Sequence, residues 1–284
     1  MPRSVTPRTA RLATLASAAA LASVAAFGVP GAAAATPTVA PGPAPVSAAE
    51  PAGSSASADA ALPAGVRAGQ PHELVRSNER TSTTWAHPVE YGAIRLRPDR
   101  GARTIARTHL LTEDGFPEVY MVLATLVDAH GVGWARVRVP ARPNGLIGWI
   151  PAADLGTFHV THWQVVISLG GRRLSAYVNG HLRFAVPVGV GKPSTPTPTG
   201  HFWVRESFRV SSPGSPYGPW AIGTSAYSRL TDWPGGGVVG IHGDFGEPQA
   251  IPGDPSHGCV RMRDGDLARL APEIPVGAPV TIMG

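Results

Sequence analysis

One short segment near the end of the chain combines a thiol with two imidazoles. Cys259 is the only cysteine among 284 residues, His242 lies seventeen positions before it, and His257 lies two positions before it. A cysteine attacks as its thiolate, and histidine is the usual base because its pKa lies near neutrality. The segment therefore predicts a nucleophilic site with Cys259 as the attacking group.

His242 is the better candidate for the base. Residues two apart on an extended chain are separated by about 6 to 7 Å at Cα, so His257 would reach Cys259 only if the chain bent. His242 follows the apolar residues 238–241, so it can stand at the end of a strand, and the residues between can return Cys259 beside it. His257 is then expected to line the pocket or the oxyanion side, with a structural role as the alternative.

Gly258 immediately precedes the predicted nucleophile. A residue without a side chain lets backbone N–H groups turn toward a developing oxyanion. The N–H of Gly258 is therefore predicted to stabilise negative charge on the attacked carbonyl.

A zinc site is the first alternative, with His242, His257 and Cys259 as ligands and water as the fourth. Against it, a His-x-Cys pair would strain a shared metal, and no second cysteine is present. No metal or other cofactor is therefore predicted. A structural buried cysteine is the second alternative, but such cysteines usually lie in apolar runs, unlike the Pro-Ser-His-Gly that precedes Cys259.

The composition predicts a mainly β body that positions these residues. The 43% hydrophobic content allows a packed core, and 34 glycines and 30 prolines indicate short strands joined by turns. Asn179-Gly180 predicts a two-residue hairpin. One or two short helices are expected, the clearest at 265–270 with Asp264 as its cap. Residues 211–237 are predicted to be a long loop that forms a pocket wall. The strands are predicted at 91–96, 120–127, 134–139, 146–150, 164–169, 173–178, 182–186, 202–205 and 278–283.

The first 80 residues are predicted to export and tether this body. Residues 1–35 have a basic start, an apolar run and small residues ending at Ala35, as in a secretory signal peptide; a retained membrane anchor is the alternative. Residues 36–80 are rich in Ala, Pro and Ser and predict a disordered linker. The net charge of +5 suits contact with anionic wall polymers, and no motif for nucleic acid is present.

Two stretches resemble known bacterial modules. Ile-His242-Gly followed by Ser-His-Gly-Cys-Val-Arg-Met at 256–262 closely resembles the signature of the YkuD-type L,D-transpeptidases, and residues 186–204 and 275–282 also fit that family. Residues 81–156, with Gly-Trp-Ile-Pro at 148–151, resemble a bacterial Src-homology-3-like barrel. The resemblance implies a small barrel followed by a YkuD-type β-sandwich or barrel domain at 158–284.

The YkuD resemblance also implies a role for each residue that matches its motif. Cys259 would attack a tetrapeptide stem of peptidoglycan, release the terminal D-Ala and leave a thioester, with His242 as base. The carbonyl of Gly243 would orient His242, and the N–H groups of Gly258 and Cys259 would hold the oxyanion. Substrate contacts would come from Ser256, His257 and Arg261. Asp244 departs from the usual Thr or Ser at its position.

An amine of a second stem would resolve the thioester into a 3→3 cross-link. The alternatives are an L,D-carboxypeptidase, in which water resolves it, a sortase-like exported cysteine acyltransferase, and a non-enzymatic wall-binding protein. We expect a secreted, wall-associated monomer whose partners are peptidoglycan stem peptides, without a membrane span after cleavage.

Overall fold

The chain folds into two β-sheets that follow one another in sequence. A computed structural model describes residues 73–212, 214–232 and 234–284. The predicted signal peptide and most of the predicted linker lie outside these residues. Among the described residues, no helix is long and apolar enough to cross a membrane.

The first sheet has eight strands, with spatial order β4-β3-β7-β6-β5-β2-β8 and β1 paired to β5. Most neighbours are antiparallel and joined by short turns, which is why the sequence reads as short apolar runs between Gly, Pro and Asn. The strands are β1 (Leu74–Val75), β2 (Thr83–Ala86), β3 (Ala93–Arg95), β4 (Thr104–Arg107), β5 (Tyr120–Val127), β6 (Gly133–Arg138), β7 (Ile147–Pro151) and β8 (His159–Thr161).

The second sheet has ten strands, in the order β11-β10-β9-β18-β13-β14-β15-β17-β12-β16. One α-helix, α1 (Asp264–Leu270), follows β17, and short 3-10 helices lie at Ala152–Asp154, Pro234–Gly237 and Pro248–Ala250. The strands are β9 (Trp163–Ser168), β10 (Arg173–Val178), β11 (His181–Pro187), β12 (Gly189–Gly191), β13 (Gly200–Arg209), β14 (Trp220–Tyr227), β15 (Val238–His242), β16 (Gly253–Ser256), β17 (Val260–Arg261) and β18 (Pro279–Met283).

Each sheet encloses its own apolar core. The core of the second sheet includes Ile222 and Ile241 from neighbouring strands and Leu267 from α1, all almost fully buried. Burying a side chain of this size stabilises the fold by roughly 1.5–3 kcal/mol. Because β15 and α1 contribute to this core, the strand that ends at His242 is held rigidly.

The two sheets also contact one another through buried groups. Trp203 of β13 is 2% exposed and donates its indole N–H to the carbonyl of Val119, 2.8 Å away. Next to it, the Arg205 guanidinium pairs with the fully buried Glu118 carboxylate and also reaches Glu113 at 2.8 Å. A buried ion pair of this kind fixes orientation, because separating its partners would leave a charge unpaired away from water.

Most predicted elements are confirmed. The mainly β fold class holds, and the predicted strands 120–127 and 173–178 coincide with β5 and β10. Asn179 and Gly180 have φ of 50° and 78°, as the predicted hairpin turn requires. The other predicted strands overlap observed ones, with bounds that differ by one to three residues at most ends.

Three expectations were wrong. The predicted loop 211–237 contains the eight-residue strand β14. The helix cap is Arg263, not Asp264, which lies in the first turn. Leu74 and Val75, which lie in the predicted linker, form β1 of the first sheet and pair with β5. The side chains of β1 are exposed and its pairing relies on backbone hydrogen bonds, so an apolar pattern does not reveal it.

Candidate active site

Two neighbouring strands bring the predicted nucleophile and base together. β15 ends at His242, and β17 begins one residue after Cys259. The two strands pair in parallel, with Ile241 opposite Val260. Continuing this register by one residue places Cys259 beside Gly240, two positions before His242 on the same face of β15.

The thiol of Cys259 and the imidazole of His242 both lie beside Gly240. Its N–H donates to Cys259 Sγ at 3.4 Å, and Sγ lies 4.0 Å from the carbonyl oxygen of Val238. The His242 ring leans back over the same residue, since a Cβ built on Gly240 would lie 3.8 Å from Cδ2 of that ring. Cys259 Sγ and the His242 ring therefore both lie beside Gly240, and both residues line the same pocket.

The hydrogen bond made by Nδ1 determines the tautomer of His242. Nδ1 lies 2.9 Å from the carbonyl oxygen of Gly243. A carbonyl only accepts hydrogen bonds, so Nδ1 carries the proton and Nε2 has the free lone pair. The rings of Tyr217 and Phe245 pack against the imidazole, with centroids 5.1 and 5.2 Å from it. The hydrogen bond that would let the Gly243 carbonyl orient His242 is present, and the catalytic role of that carbonyl stays a prediction.

Both reacting groups are neutral at rest. Burial lowers the pKa of His242 to about 4, and the positive charge of Arg261 acts in the same direction. Burial raises the pKa of the Cys259 thiol, although the Gly240 hydrogen bond and Arg261 oppose this effect. At neutral pH the pair is a thiol and an imidazole, not a thiolate and an imidazolium. If Cys259 is the nucleophile, its proton must pass to a base during attack, and Nε2 of His242 is the predicted acceptor.

A small pocket of about 30 Å³ gathers the predicted side chains. Its walls include the nucleophile and base together with the three residues predicted to contact substrate. These five residues are Cys259, His242, Ser256, His257 and Arg261.

Gly258 does not point as predicted. Its N–H donates to the hydroxyl of Ser256 at 3.1 Å, and that hydroxyl donates to the carbonyl of Cys259 at 2.6 Å. The amide predicted for the oxyanion is therefore already paired in this conformation. Glycine is nevertheless required here, because its φ is 129° and a Cβ would lie 3.1 Å from Cβ of Ser228.

The Thr/Pro-rich loop after β12 contacts the turn that precedes Cys259. Thr197 is buried, donates its hydroxyl to the carbonyl of Gly258 at 2.8 Å, and accepts the N–H of Gly191 at 2.9 Å. In the same loop, Lys192 Nζ lies 2.9 Å from Nε2 of His257. The ammonium can only donate, so Nε2 of that histidine accepts, and the loop fixes the ring orientation of His257.

Arg261 is held against the pocket wall by residues that the sequence did not single out. Its guanidinium lies 4.2 Å from the ring centroid of Phe245 and pairs with Glu247 at 3.3 Å. Its Nε has no hydrogen-bond partner among the residues that the structure describes. Arg261 thus presents a positive charge beside the reacting pair.

Asp244, the departure from the family motif, has a structural role. The buried Asp244 carboxylate accepts the N–H of Asp264 at 3.3 Å, and Asp264 Oδ1 accepts the N–H of Asp244 at 3.3 Å. These bonds attach the residues after His242 to the start of α1. Gly243 lies in this contact, where a Cβ would approach Asp264 Oδ1 to 2.2 Å. The carbonyl that orients His242 is thereby fixed.

A wider cavity of about 380 Å³ also borders Cys259 and His242. Much of its wall is apolar, but Glu206 of β13 and Asp114 of the first sheet place carboxyl groups in it. Burial raises the pKa of Glu206 to about 7, and Asp114 contributes to the increase. Glu206 also accepts the hydroxyl of Thr112 at 2.5 Å. A cavity with an acidic end therefore leads to the nucleophile.

In the described part of the chain, no three His, Cys, Asp or Glu side chains are arranged to hold a metal ion. His242 uses one ring nitrogen for Gly243, and His257 faces Lys192. The three residues of the zinc alternative therefore do not converge as ligands.

The residues of the second sheet are similar in sequence to known proteins. Residues 162–282 match the family model of the YkuD L,D-transpeptidase catalytic domain. The putative L,D-transpeptidase YkuD of Bacillus subtilis (strain 168) is 32% identical over 120 residues, which are 42% of this chain and 65% of that protein. A putative L,D-transpeptidase YkuD of Bacillus licheniformis is 33% identical over 120 residues, again 65% of its length. The chain thus spans just under two thirds of these relatives.

The chain is also similar to a solved structure, the nuclear magnetic resonance structure of the catalytic domain from an Enterococcus faecium L,D-transpeptidase. It is 23% identical, has a TM-score of 0.33, and aligns over 42% of this chain and 95% of that chain.

Residues 162–282 thus match the YkuD L,D-transpeptidase catalytic domain, the family whose motif this segment resembles. The matched residues begin after β8, and the Src-homology-3 resemblance of the first sheet stays a prediction.

Proposed function

We propose that this protein is an exported L,D-transpeptidase that forms 3→3 cross-links between tetrapeptide stems of peptidoglycan. The observation that carries the proposal is that the thiol and the imidazole lie beside the same residue, Gly240, in one pocket, with Nδ1 of His242 bonded to the carbonyl of Gly243. The N-terminal sequence and the net charge of +5 support export and contact with the cell wall.

The first half-reaction transfers the stem to sulfur. Cys259 Sγ attacks the carbonyl between the third, diamino acid residue and the terminal D-Ala, while Nε2 of His242 takes the thiol proton. The tetrahedral intermediate then expels the D-Ala amine, which receives that proton from His242. A thioester remains on Cys259, and the imidazole is neutral again. Arg261 stands where a carboxylate of the stem would meet a positive charge.

The second half-reaction returns the thiol. An amine of a second stem attacks the thioester, His242 takes a proton from that amine, and the departing sulfur recovers it. If water attacks instead, the product is a shortened stem and the protein is a carboxypeptidase. The acidic end of the wider cavity, at Glu206 and Asp114, supports an amine as acceptor because carboxylates attract an ammonium group.

Incubation of the full chain with a purified tetrapeptide stem tests the proposal. Mass spectrometry is expected to find a stem dimer that has lost one D-Ala. A tripeptide as the sole product would assign carboxypeptidase activity. An unchanged tetrapeptide would favour a wall-binding protein without turnover.

A substitution of Glu206 tests the nature of the acceptor. Glu206→Gln removes a carboxylate from the cavity and is expected to lower the ratio of dimer to tripeptide about fivefold, the size expected for loss of one charge pair near a protein surface. In the wild type the ratio should fall as pH decreases through about 7, because the Glu206 carboxyl then becomes protonated. The variant should lack this pH dependence.

Glu273→Gln is the matched control, because Glu273 pairs with Arg183 away from the cavity. An unchanged product ratio in Glu206→Gln would remove the argument for an amine acceptor. It would leave the thioester step untouched.

A further inference from the structure

The first sheet reaches the catalytic domain at the wall of the reactive pocket. The contact involves the β14–β15 connection, defined here by its described residues 228–232 and 234–237. Ser228 is the first residue of the connection, and Val238 is the first residue after it. Both line the pocket at Cys259. Cβ of Ser228 also limits the space at Gly258. The position of this connection therefore sets the shape of the pocket.

One arginine of the first sheet binds this connection at three points. Arg142 lies between β6 and β7, and its Nη2 is within hydrogen-bond distance of the carbonyl oxygens of Ser228 at 3.2 Å, Leu230 at 3.1 Å and Gly236 at 2.9 Å. Ser228 and Gly237 close the same connection, since the N–H of Ser228 donates to the carbonyl of Gly237 at 2.8 Å. The arginine thus draws together both ends of the connection.

Neighbouring contacts fix Arg142 itself. Its guanidinium lies 4.6 Å from the ring centroid of Tyr227, the last residue of β14. Asn144 exchanges two hydrogen bonds with the backbone of Tyr227, at 2.9 and 3.0 Å. The hydroxyl of Tyr227 donates to Glu113 of the first sheet at 2.5 Å. These bonds join the two sheets at the point where the connection begins.

We propose that Arg142 is a positioning residue of the active site, which holds Ser228 and Val238 in place so that the pocket can bind the stem. The proposal rests on the proposed function for its substrate. It gives the first sheet a part in substrate binding, because Arg142 is supplied by that sheet and acts through the connection. Arg142 does not contact the reacting atoms, so its loss should affect binding more than chemistry.

Arg142→Ala in the full chain tests the proposal. The KM for the tetrapeptide stem is expected to rise about tenfold, the change that loss of one hydrogen bond to a charged group produces, while kcat changes less than about threefold. Amide hydrogen exchange should accelerate within residues 228–238. Alkylation of Cys259 by a bulky maleimide should accelerate relative to alkylation by iodoacetamide. Arg142→Lys should recover part of each property, because the three carbonyl oxygens surround a single nitrogen, which an ammonium group can replace.

Arg138→Ala is the matched control. It breaks an ion pair of the same sheet, with Glu79 at 2.8 Å, and Arg138 lines none of the cavities described above. Wild-type KM and exchange rates in a folded Arg142→Ala variant would overturn the proposal. So would equal changes in Arg138→Ala, which would indicate general loosening of the sheet. If the wild type does not turn over stems, the proposed function fails, and exchange and alkylation still decide the role of Arg142.

Discussion

Replacing Cys259 with serine is expected to lower turnover of the tetrapeptide stem by at least about 10⁴-fold. Serine keeps the shape of the side chain but substitutes a hydroxyl that is far harder to ionise than a thiol. The neutral imidazole of His242 is a weak base, with a pKa of about 4, and would remove that proton poorly. Turnover is measured as D-Ala released under single-turnover and steady-state conditions.

The same variant should remain folded. Cys259 Sγ makes only long contacts, to the N–H of Gly240 at 3.4 Å and the carbonyl of Val238 at 4.0 Å. The free energy of unfolding should therefore change by less than about 1.5 kcal/mol. A folded Cys259→Ser protein that retains a tenth or more of the wild-type rate would contradict the assignment of the nucleophile.

Replacing His242 with alanine is expected to lower kcat/KM by about 10²- to 10⁴-fold, the usual contribution of a positioned general base. The pH profile supplies a second, sharper expectation. In the wild type, His242 stays unprotonated down to its pKa of about 4, so the rate should fall only as pH decreases through that value. In His242→Ala the residual rate should instead rise with pH as the thiolate forms, because burial raises the pKa of Cys259.

His257→Ala serves as the control for this prediction. His257 lines the pocket and faces Lys192, so its loss should alter substrate binding and leave the acid limb of the pH profile in place. Half-loss of the wild-type rate near the ordinary pKa of histidine, about 6.5, would contradict a buried neutral base. So would ultraviolet absorbance of a thiolate in the resting wild type at neutral pH.

Two strands could be predicted from sequence with the bounds that the structure shows. β5 reads as an almost continuous apolar run, and β10 lies between turn residues at Gly170-Gly171 and Asn179-Gly180, so local residues define both strands. β14 could not be predicted, since it reads Trp-Ala-Ile-Gly-Thr-Ser-Ala-Tyr between glycine- and proline-rich segments. Its place is set by pairing with β13 on one side and β15 on the other. Such long-range pairing leaves little trace in a local pattern.

The reacting residues of the site were visible in sequence, but their surroundings were not. Cys259 and His242 lie in one segment, and their chemistry limits the possible roles. Lys192, Asp114 and Arg142 are more than 60 residues before Cys259 in the chain. Lys192 reaches His257 through the pairing of β12 with β16 and β17, whereas Asp114 and Arg142 reach the site through the packing of the first sheet on the second. The direction of the Gly258 amide depends on the hydroxyl of Ser256, a contact that spacing alone does not determine.

The charge states of His242 and Cys259 could be derived only from the structure. Sequence places a histidine near a cysteine, which would permit either an ion pair or a neutral pair. Burial of His242, at 4% exposure, together with the neighbouring Arg261, decides for the neutral pair. The same positive charge disfavours an imidazolium at His242 and lowers the pKa of the Cys259 thiol.

The most direct test of Cys259 as the nucleophile is intact-mass spectrometry of the protein after brief incubation with a tetrapeptide stem whose diamino acid amine has been blocked by acetylation, so that no acceptor amine is present. A single added mass equal to the tripeptide acyl group is expected, located on Cys259 by proteolysis and absent from the Cys259→Ser variant. Release of D-Ala at the wild-type rate with Cys259 never modified, or with the adduct on another residue, would contradict it.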